Sequence, residues 1–289
     1  MTSVATRDGR TLELHEYGDP AGFPVVVHHG TPSSGVPYEA HDTLAREQGV
    51  RVVGYDRPGY GGSTRAAGRR VADCAADVEA IADALALERF GSWGVSGGGP
   101  HVLACAALCD GRLVAAVSLA SVAPWDAEGL DWLAGMGDEN EVEFAQTLAG
   151  EGALRPYLEE QREELLRAEP DQLAQVVHTL LGPEDRSILT GAFCEYLLAS
   201  QKHGLEHGVD GWLDDDLAFA APWGFELEAI ARPVLLLHGQ DDRFVPVTHG
   251  RWLAERIPGV EARIGADDGH LTLVERRLRV VHEWLLRHS

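Results

Sequence analysis

The chain has 289 residues, enough for one large α/β domain or two smaller ones, and it is 45% hydrophobic and 24% charged, the mix of a protein with a sizeable buried core. Its net charge of −22, from 46 acidic and 24 basic residues, repels nucleic acid and anionic lipid, since binding to either draws on Lys and Arg. No apolar run approaches the ~20 residues of a membrane span, and the opening "MTSVATRDGR" lacks the apolar core of a secretory signal; a cytoplasmic protein without membrane or nucleic-acid partners is expected.

In chain order, "TLELHEYGD" (Thr11–Asp19) alternates like a half-exposed strand, and "PVVVHH" (Pro24–His29) and "RVVGYD" (Arg51–Asp56) are short β-branched runs suited to a sheet buried on both faces. The period then changes: Val71, Cys74, Val78, Ile81 and Leu85 follow helical spacing, with acidic residues between them. "RFGSWGV" (Arg89–Val95) reads as a strand, "HVLACAALC" (His101–Cys109) as a helix and "LVAAVSLA" (Leu113–Ala120) as a strand. Near the C-terminus, "PVLLLHG" (Pro233–Gly239) and "VEARIG" (Val260–Gly265) read as strands, and "THGRWLAERI" and the segment after His270 as helices. Alternating strands and helices predict an α/β fold: a mostly parallel central sheet with helices on both faces.

Residues 125–222 break this rhythm. They show no convincing strand, two helical stretches with Pro near their starts ("PYLEEQREELLRAE" and "PDQLAQVVHTLL"), and 22 acidic against 5 basic residues. An insertion after a strand's C-terminal end sits over the ligand-binding edge of such a sheet, so 125–222 is read as a helical cap, or lid, on a core made of 1–124 and 223–289.

The richest signal is "GSWGVSGGGPHVLA" (Gly91–Ala104), in which Gly94, Gly97, Gly98 and Gly99 surround Ser96 between a strand and a helix. The spacing fails as a dinucleotide loop, because position 102 is Val, and as a phosphate loop, because the chain's one lysine is Lys202. It fits G-x-S-x-G, a strand-to-helix turn so tight that only small neighbours are tolerated, with the hydroxyl lifted above the strand ends. A serine hydroxyl needs a base, and the base needs a carboxylate to hold its tautomer. Asp241 and Asp242 follow the strand at 233–239, and His270 precedes the last helix, in the order Ser, Asp, His.

Together with "HHGTPSS" after the Pro24–His29 strand, "DRPGYGGS" (Asp56–Ser63), "HGQDDRFVP" and "DGH", this elbow resembles the α/β-hydrolase family over almost the whole chain. The resemblance implies Ser96 as nucleophile, Asp242 as acid (it stands three residues after Gly239, as the family pattern requires), His270 as base, and the backbone amides of Thr31 and Gly97 as the oxyanion hole. Asp56 and Arg57 match the family's structural turn. Ser rather than Asp at the elbow argues against the family's dehalogenases and epoxide hydrolases, which use a carboxylate nucleophile.

The expected activity is hydrolysis of a small or medium carboxylic ester through an acyl-enzyme. An aminopeptidase similar to the proline iminopeptidases is the rival, because clustered lid acids attract cations; "HGTPSS" departs from that group's H-G-G-P-G. A lyase on the same fold and a binding protein with a vestigial site are further alternatives. A small-molecule substrate is the expected partner, self-association stays open, and nothing requires a cofactor or a metal. Cys74, Cys105, Cys109 and Cys194 lack zinc spacing and read as buried thiols. His203 and His207 read as surface histidines, and Asp214–Asp216 as a solvated turn. His28 and His29 read as support for the oxyanion loop. Trp125, Trp132, Trp212 and Trp223 read as either pocket walls or anchors of the lid's edges.

Overall fold

The computed structural model describes residues 2–289. Its sheet has eight strands: β1 (Thr2–Ala5), β2 (Thr11–Gly18), β3 (Phe23–His28), β4 (Val50–Tyr55), β5 (Phe90–Val95), β6 (Leu113–Leu119), β7 (Val234–Gly239) and β8 (Glu261–Gly265), in the order β1-β2-β4-β3-β5-β6-β7-β8. β1 and β2 are antiparallel at one edge, and β4 through β8 are parallel. The fold is α/β, as expected; β1 and the helix α1 (Glu39–Gln48) are additions to the sequence reading.

The inner parallel strands are largely apolar because both faces are covered, whereas the edge strand β8 is mostly exposed. Val26, Val53, Ala116 and Leu236 join one cluster, which takes in Val78 and Ile81 of α2 (Cys74–Ala84) and Val102 and Leu103 of α3 (Gly98–Leu108). Their neighbours in sequence Val25, Val52, Val117 and Leu237 point the other way, against Ala45 of α1 and Leu278, Val281 and Trp284 of α11 (His270–Leu286). On the first face also lies Leu253 of α10 (Val247–Ala254). Cys74, Cys105, Cys109 and Cys194 are buried and unpaired.

Between β6 and β7 run α4 (Asp138–Ala149), α5 (Glu151–Arg167), α6 (Leu173–Val176), α7 (Pro183–Ile188), α8 (Gly191–Gly204) and α9 (Asp210–Phe219). α5, α6, α8 and α9 share a second cluster that includes Leu154, Leu158, Leu198 and Leu213, while Phe144 of α4 packs with the sheet's first face. Two expectations for this segment change. Pro156 lies inside α5 rather than at its start, and "PDQLAQVVHTLL" supplies one helical turn of α6 instead of a full helix. Among the described residues, no helix is long and apolar enough to cross a membrane.

The sheet order places the site. From β3 the chain steps to one side, to β4, and β5 lies on β3's other side with His28 opposite Gly94. The crevice beyond the carboxyl ends at such a reversal is where open α/β sheets bind ligands. The loops that begin at His29 and Ser96 both open into it.

Candidate active site

Ser96 stands alone at the end of β5 with φ +55°, a left-handed conformation that costs a side-chain-bearing residue of order 1 kcal/mol or more. The flanking glycines make that turn possible: a Cβ on Gly94 would collide with the Gly98 carbonyl, and one on Gly98 with the carbonyls of His28 and His29. Any larger residue at either position would push the turn off β3. The Ser96 backbone is tied into the sheet by its N–H bond to Leu119 O at 2.9 Å, and Gly99 N–H caps the turn onto Ser96 O at 2.8 Å.

His270 opens α11 and is 5% exposed. Its Nδ1 lies 2.8 Å from Asp242 Oδ2. A carboxylate only accepts, so Nδ1 carries the proton and Nε2 is left with its lone pair free in the neutral ring. Asp242 is itself fixed, since its Oδ1 accepts from Phe244 N–H at 2.9 Å and Val245 N–H at 2.8 Å. Asp241 is exposed. Burial pulls the His270 pKa down, but the charge and hydrogen bond of Asp242, with the charge of Asp185, outweigh it and the net displacement is upward. Phe244 stacks on the imidazole with centroids 4.6 Å apart.

Ser96, His270 and Thr31 line one cavity of about 170 Å³, whose other walls include Trp93, Leu173, Phe193, Leu197 and Leu271. Ser96, Thr31 and Gly97 also line a second, smaller chamber of about 50 Å³ with Glu143, Phe144, Asp216 and Phe219. The serine is therefore at the junction of an apolar space and an acidic one. No hydrogen bond joins Ser96 to His270. Among the described residues the backbone N–H groups of Thr31 and Gly97 have no acceptor either, which leaves them available to a ligand.

The loop from His29 to Thr31 is held from behind by a buried ionic cluster. Arg57 and Asp215 are both fully buried, with Arg57 Nη2 2.6 Å from Asp215 Oδ2. That Oδ2 also accepts from Thr31 Oγ1 at 2.7 Å and from Tyr60 Oη at 2.9 Å. Arg69 Nη2 reaches Asp215 Oδ1 at 2.6 Å. Arg57 further donates to the carbonyls of His29 and Gly30. Burial would raise the Asp215 pKa, but Arg57 and Arg69 hold it well below the ordinary carboxylate range. Asp214, Asp215 and Asp216 are thus buried in α9 and not in a solvated turn: the arginines that neutralise Asp214 and Asp215 lie some 150 residues earlier in the chain.

The histidines next to the loop are supports. His28 Nδ1 lies 3.0 Å from Tyr55 Oη, and His29 Nε2 accepts the Arg57 N–H at 3.1 Å. Burial followed by neighbouring Arg57 lowers His29 to about 3, which keeps the ring neutral. His101, which no sequence signal marks, donates from Nδ1 to Gly97 O at 2.7 Å and so fixes the 97–98 peptide just beyond Ser96. The tryptophans are anchors: Trp125 and Trp132 pack on each other and on Phe144, Trp212 Nε1 donates to Glu143 at 2.9 Å, and Trp223 is buried in the core. His207 is exposed as expected. His203 is not a free surface residue; its Nε2 lies 3.1 Å from Asp56 Oδ2.

Comparison with known proteins follows the geometry. The chain is 35% identical over 126 residues to a non-heme chloroperoxidase of Streptomyces lividans, a match that takes in 43% of this chain and 46% of that one. It is 28% identical to the bifunctional esterase/perhydrolase DCH of Acinetobacter calcoaceticus over 85% of this chain and 84% of the relative. A bromoperoxidase from Bacillus anthracis superposes with a TM-score of 0.71 at 22% identity, covering 99% of both chains. The model of the alpha/beta hydrolase fold family matches residues 24–276. The chain belongs to the alpha/beta hydrolase fold family and is a hydrolase.

Proposed function

We propose that the protein hydrolyses a small or medium carboxylic ester, with Ser96 as nucleophile, His270 as base, Asp242 as its orienting acid and the Thr31 and Gly97 amides as oxyanion hole. The observation that carries this reading is the Asp242–His270 pair at 2.8 Å, with His270 and Ser96 lining the same cavity. Ser96 Oγ attacks the ester carbonyl as His270 Nε2 takes its proton. The oxyanion is met by two N–H groups that have no other partner among the described residues, and the imidazolium then gives its proton to the departing alkoxide. Water repeats the cycle on the acyl-enzyme and releases the acid and Ser96. Residues 125–222 act as the cap on a core of 1–124 and 223–289, and the apolar cavity suits the hydrocarbon part of a small-molecule ester.

The test is turnover of p-nitrophenyl acetate and butyrate. Ser96→Ala should abolish it with the fold intact, and a fluorophosphonate probe should label Ser96. Unchanged turnover, or labelling elsewhere, overturns the assignment.

One observation favours a second reading, an aminopeptidase similar to the proline iminopeptidases. Glu143 and Asp216 meet in the small chamber beside Ser96. Burial pushes Glu143 up to about 7, against hydrogen bonds from Trp212 and Asp216, and burial followed by Glu143 pushes Asp216 well above the usual range. At neutral pH the pair shares a proton and keeps negative charge, a suitable seat for a substrate ammonium. Fast hydrolysis of proline p-nitroanilide with little ester turnover would select this reading.

A further inference from the structure

Away from the serine, β2, the turn after β4 and helix α8 bring Glu13, His15, Asp56 and His203 together. We propose that these four residues form a divalent-cation site of the zinc type, which clips α8 to the sheet. One ligand atom from each lies within 4.8 Å of all the others. Asp56 Oδ2 is 3.2 Å from His15 Nε2 and 3.1 Å from His203 Nε2, and Glu13 Oε2 is 3.8 Å from His203 Nε2. Zinc bonds of roughly 2.0–2.1 Å in a tetrahedron put neighbouring ligand atoms ~3.3–3.4 Å apart. The observed edges bracket that value, so a dication would enter with small side-chain adjustments.

The donor set has the right chemistry. Two carboxylates and two neutral imidazoles leave a double negative charge for a dication to neutralise. Nitrogen with oxygen suits zinc better than magnesium or calcium, which prefer all-oxygen shells. Both carboxylates are already oriented by backbone donors. Gly35 N–H bonds Asp56 Oδ1 at 2.7 Å, and Gly62 N–H bonds Glu13 Oε2 at 2.7 Å, the kind of outer contact that supports metal ligands. Gly61, at φ +45°, keeps the pocket open: a Cβ there would collide with Asp56 Oδ2 and lie 3.0 Å from His203 Nε2. Hydrogen bonding alone uses the cluster poorly, because both imidazoles converge on one oxygen of Asp56 and Glu13 Oε2 is out of hydrogen-bonding range of His203.

The three parts come from distant stretches of chain, with α8 lying between β6 and β7 while Glu13, His15 and Asp56 belong to the sheet side. A metal here would join the two and raise stability by mass action. It is independent of the esterase reading, and its measurement needs no turnover.

The experiment is titration of the full-length protein, stripped with EDTA and dialysed, with Zn²⁺ by calorimetry, together with Co²⁺ absorption spectroscopy. The expected result is one equivalent bound at micromolar or lower Kd, intense visible bands of tetrahedral Co²⁺, and a Tm that rises with free zinc. His203→Ala and His15→Gln should each weaken binding on the order of 100-fold or more, and His207→Ala, on the exposed end of the same region, should leave it unchanged. Absence of stoichiometric binding by the unaltered protein overturns the proposal and leaves a hydrogen-bonded His–Asp–His group. Tight binding that survives both ligand substitutions overturns it equally.

Discussion

Asp185 of α7 holds the end of the helix that carries His270. Its Oδ2 accepts the His270 N–H at 2.8 Å, and its Oδ1 accepts the N–H groups of Leu271 at 3.0 Å and Thr272 at 2.9 Å, plus the Thr272 hydroxyl at 3.0 Å. A helix's first N–H groups have no partner within the helix, so a fully buried carboxylate from another element here both caps α11 and fixes where the imidazole starts. Asp185→Ala leaves these donors buried and unpaired, which costs about 2 kcal/mol or more. Asp185→Asn keeps one accepting oxygen and loses the charge. Because that charge helps raise the His270 pKa, both variants should shift the acidic limb of the kcat/KM profile to lower pH as well as lowering kcat. A purely structural role would lower Tm and leave the limb in place.

No periodicity in the sequence announces Asp185, and the reason is general. The strands were readable because Val25–Val27 or Leu235–Leu237 are apolar for local reasons, burial on both faces of a sheet. Ser96 was readable because its glycines answer a local steric demand at Gly94 and Gly98. Asp185 acquires its meaning only where α7 meets α11, and Asp214–Asp216 looked solvated because a run of three acids is ordinarily a wet one. Arg57 and Arg69, which bury Asp215, are remote in sequence. His203 misled in the same way, its partner Asp56 being 147 positions earlier. Within 125–222, acidic residues blur the apolar stripe of α4, α7 and α9; α8 carries one acid, Glu195, and this cause does not apply to it.

The acid beside His270 sets a pH dependence with a definite sign. In the proposed mechanism acylation requires the neutral imidazole, and Asp242 holds the His270 pKa above its ordinary value against the pull of burial. Activity should therefore rise with pH through that raised value. The stability contribution runs oppositely: a raised histidine pKa stabilises the fold below about 6.5, and this is lost as pH climbs through the folded-state value. Asp242→Asn should lower kcat on the order of 10³–10⁴-fold, the loss seen when a serine-protease triad loses its carboxylate. A loss of under tenfold against p-nitrophenyl butyrate would mean that Asp242 does not orient the base.

Asp215 connects α9 to the oxyanion loop through Arg57 and Thr31. Removing one partner of a buried pair strands the other charge, so Asp215→Ala should destabilise by about 3–5 kcal/mol in urea unfolding. Thr31→Val tests the loop more gently. It deletes the hydroxyl that bonds Asp215 and leaves the backbone N–H, so we expect a loss of about 1–3 kcal/mol and a fall in kcat with little change in KM. A fall in stability alone would separate the anchor from the oxyanion site.

Glu143, half-buried, and Asp216, buried, make the opposite case, acids withdrawn from water without enough cation to neutralise them. A carboxyl whose folded pKa is raised binds its proton more tightly folded than unfolded. The fold is then favoured below the ordinary value of 4.5, and that advantage disappears as pH rises toward and past about 7. Glu143→Gln removes the titration while keeping an acceptor for Trp212 Nε1, which donates at 2.9 Å. The variant should match the parent near pH 5 and exceed it at pH 8 by on the order of 1–3 kcal/mol in urea unfolding. A difference that does not vary between those pH values would show that the pair is not sharing a proton, and would remove the charge on which an ammonium seat depends.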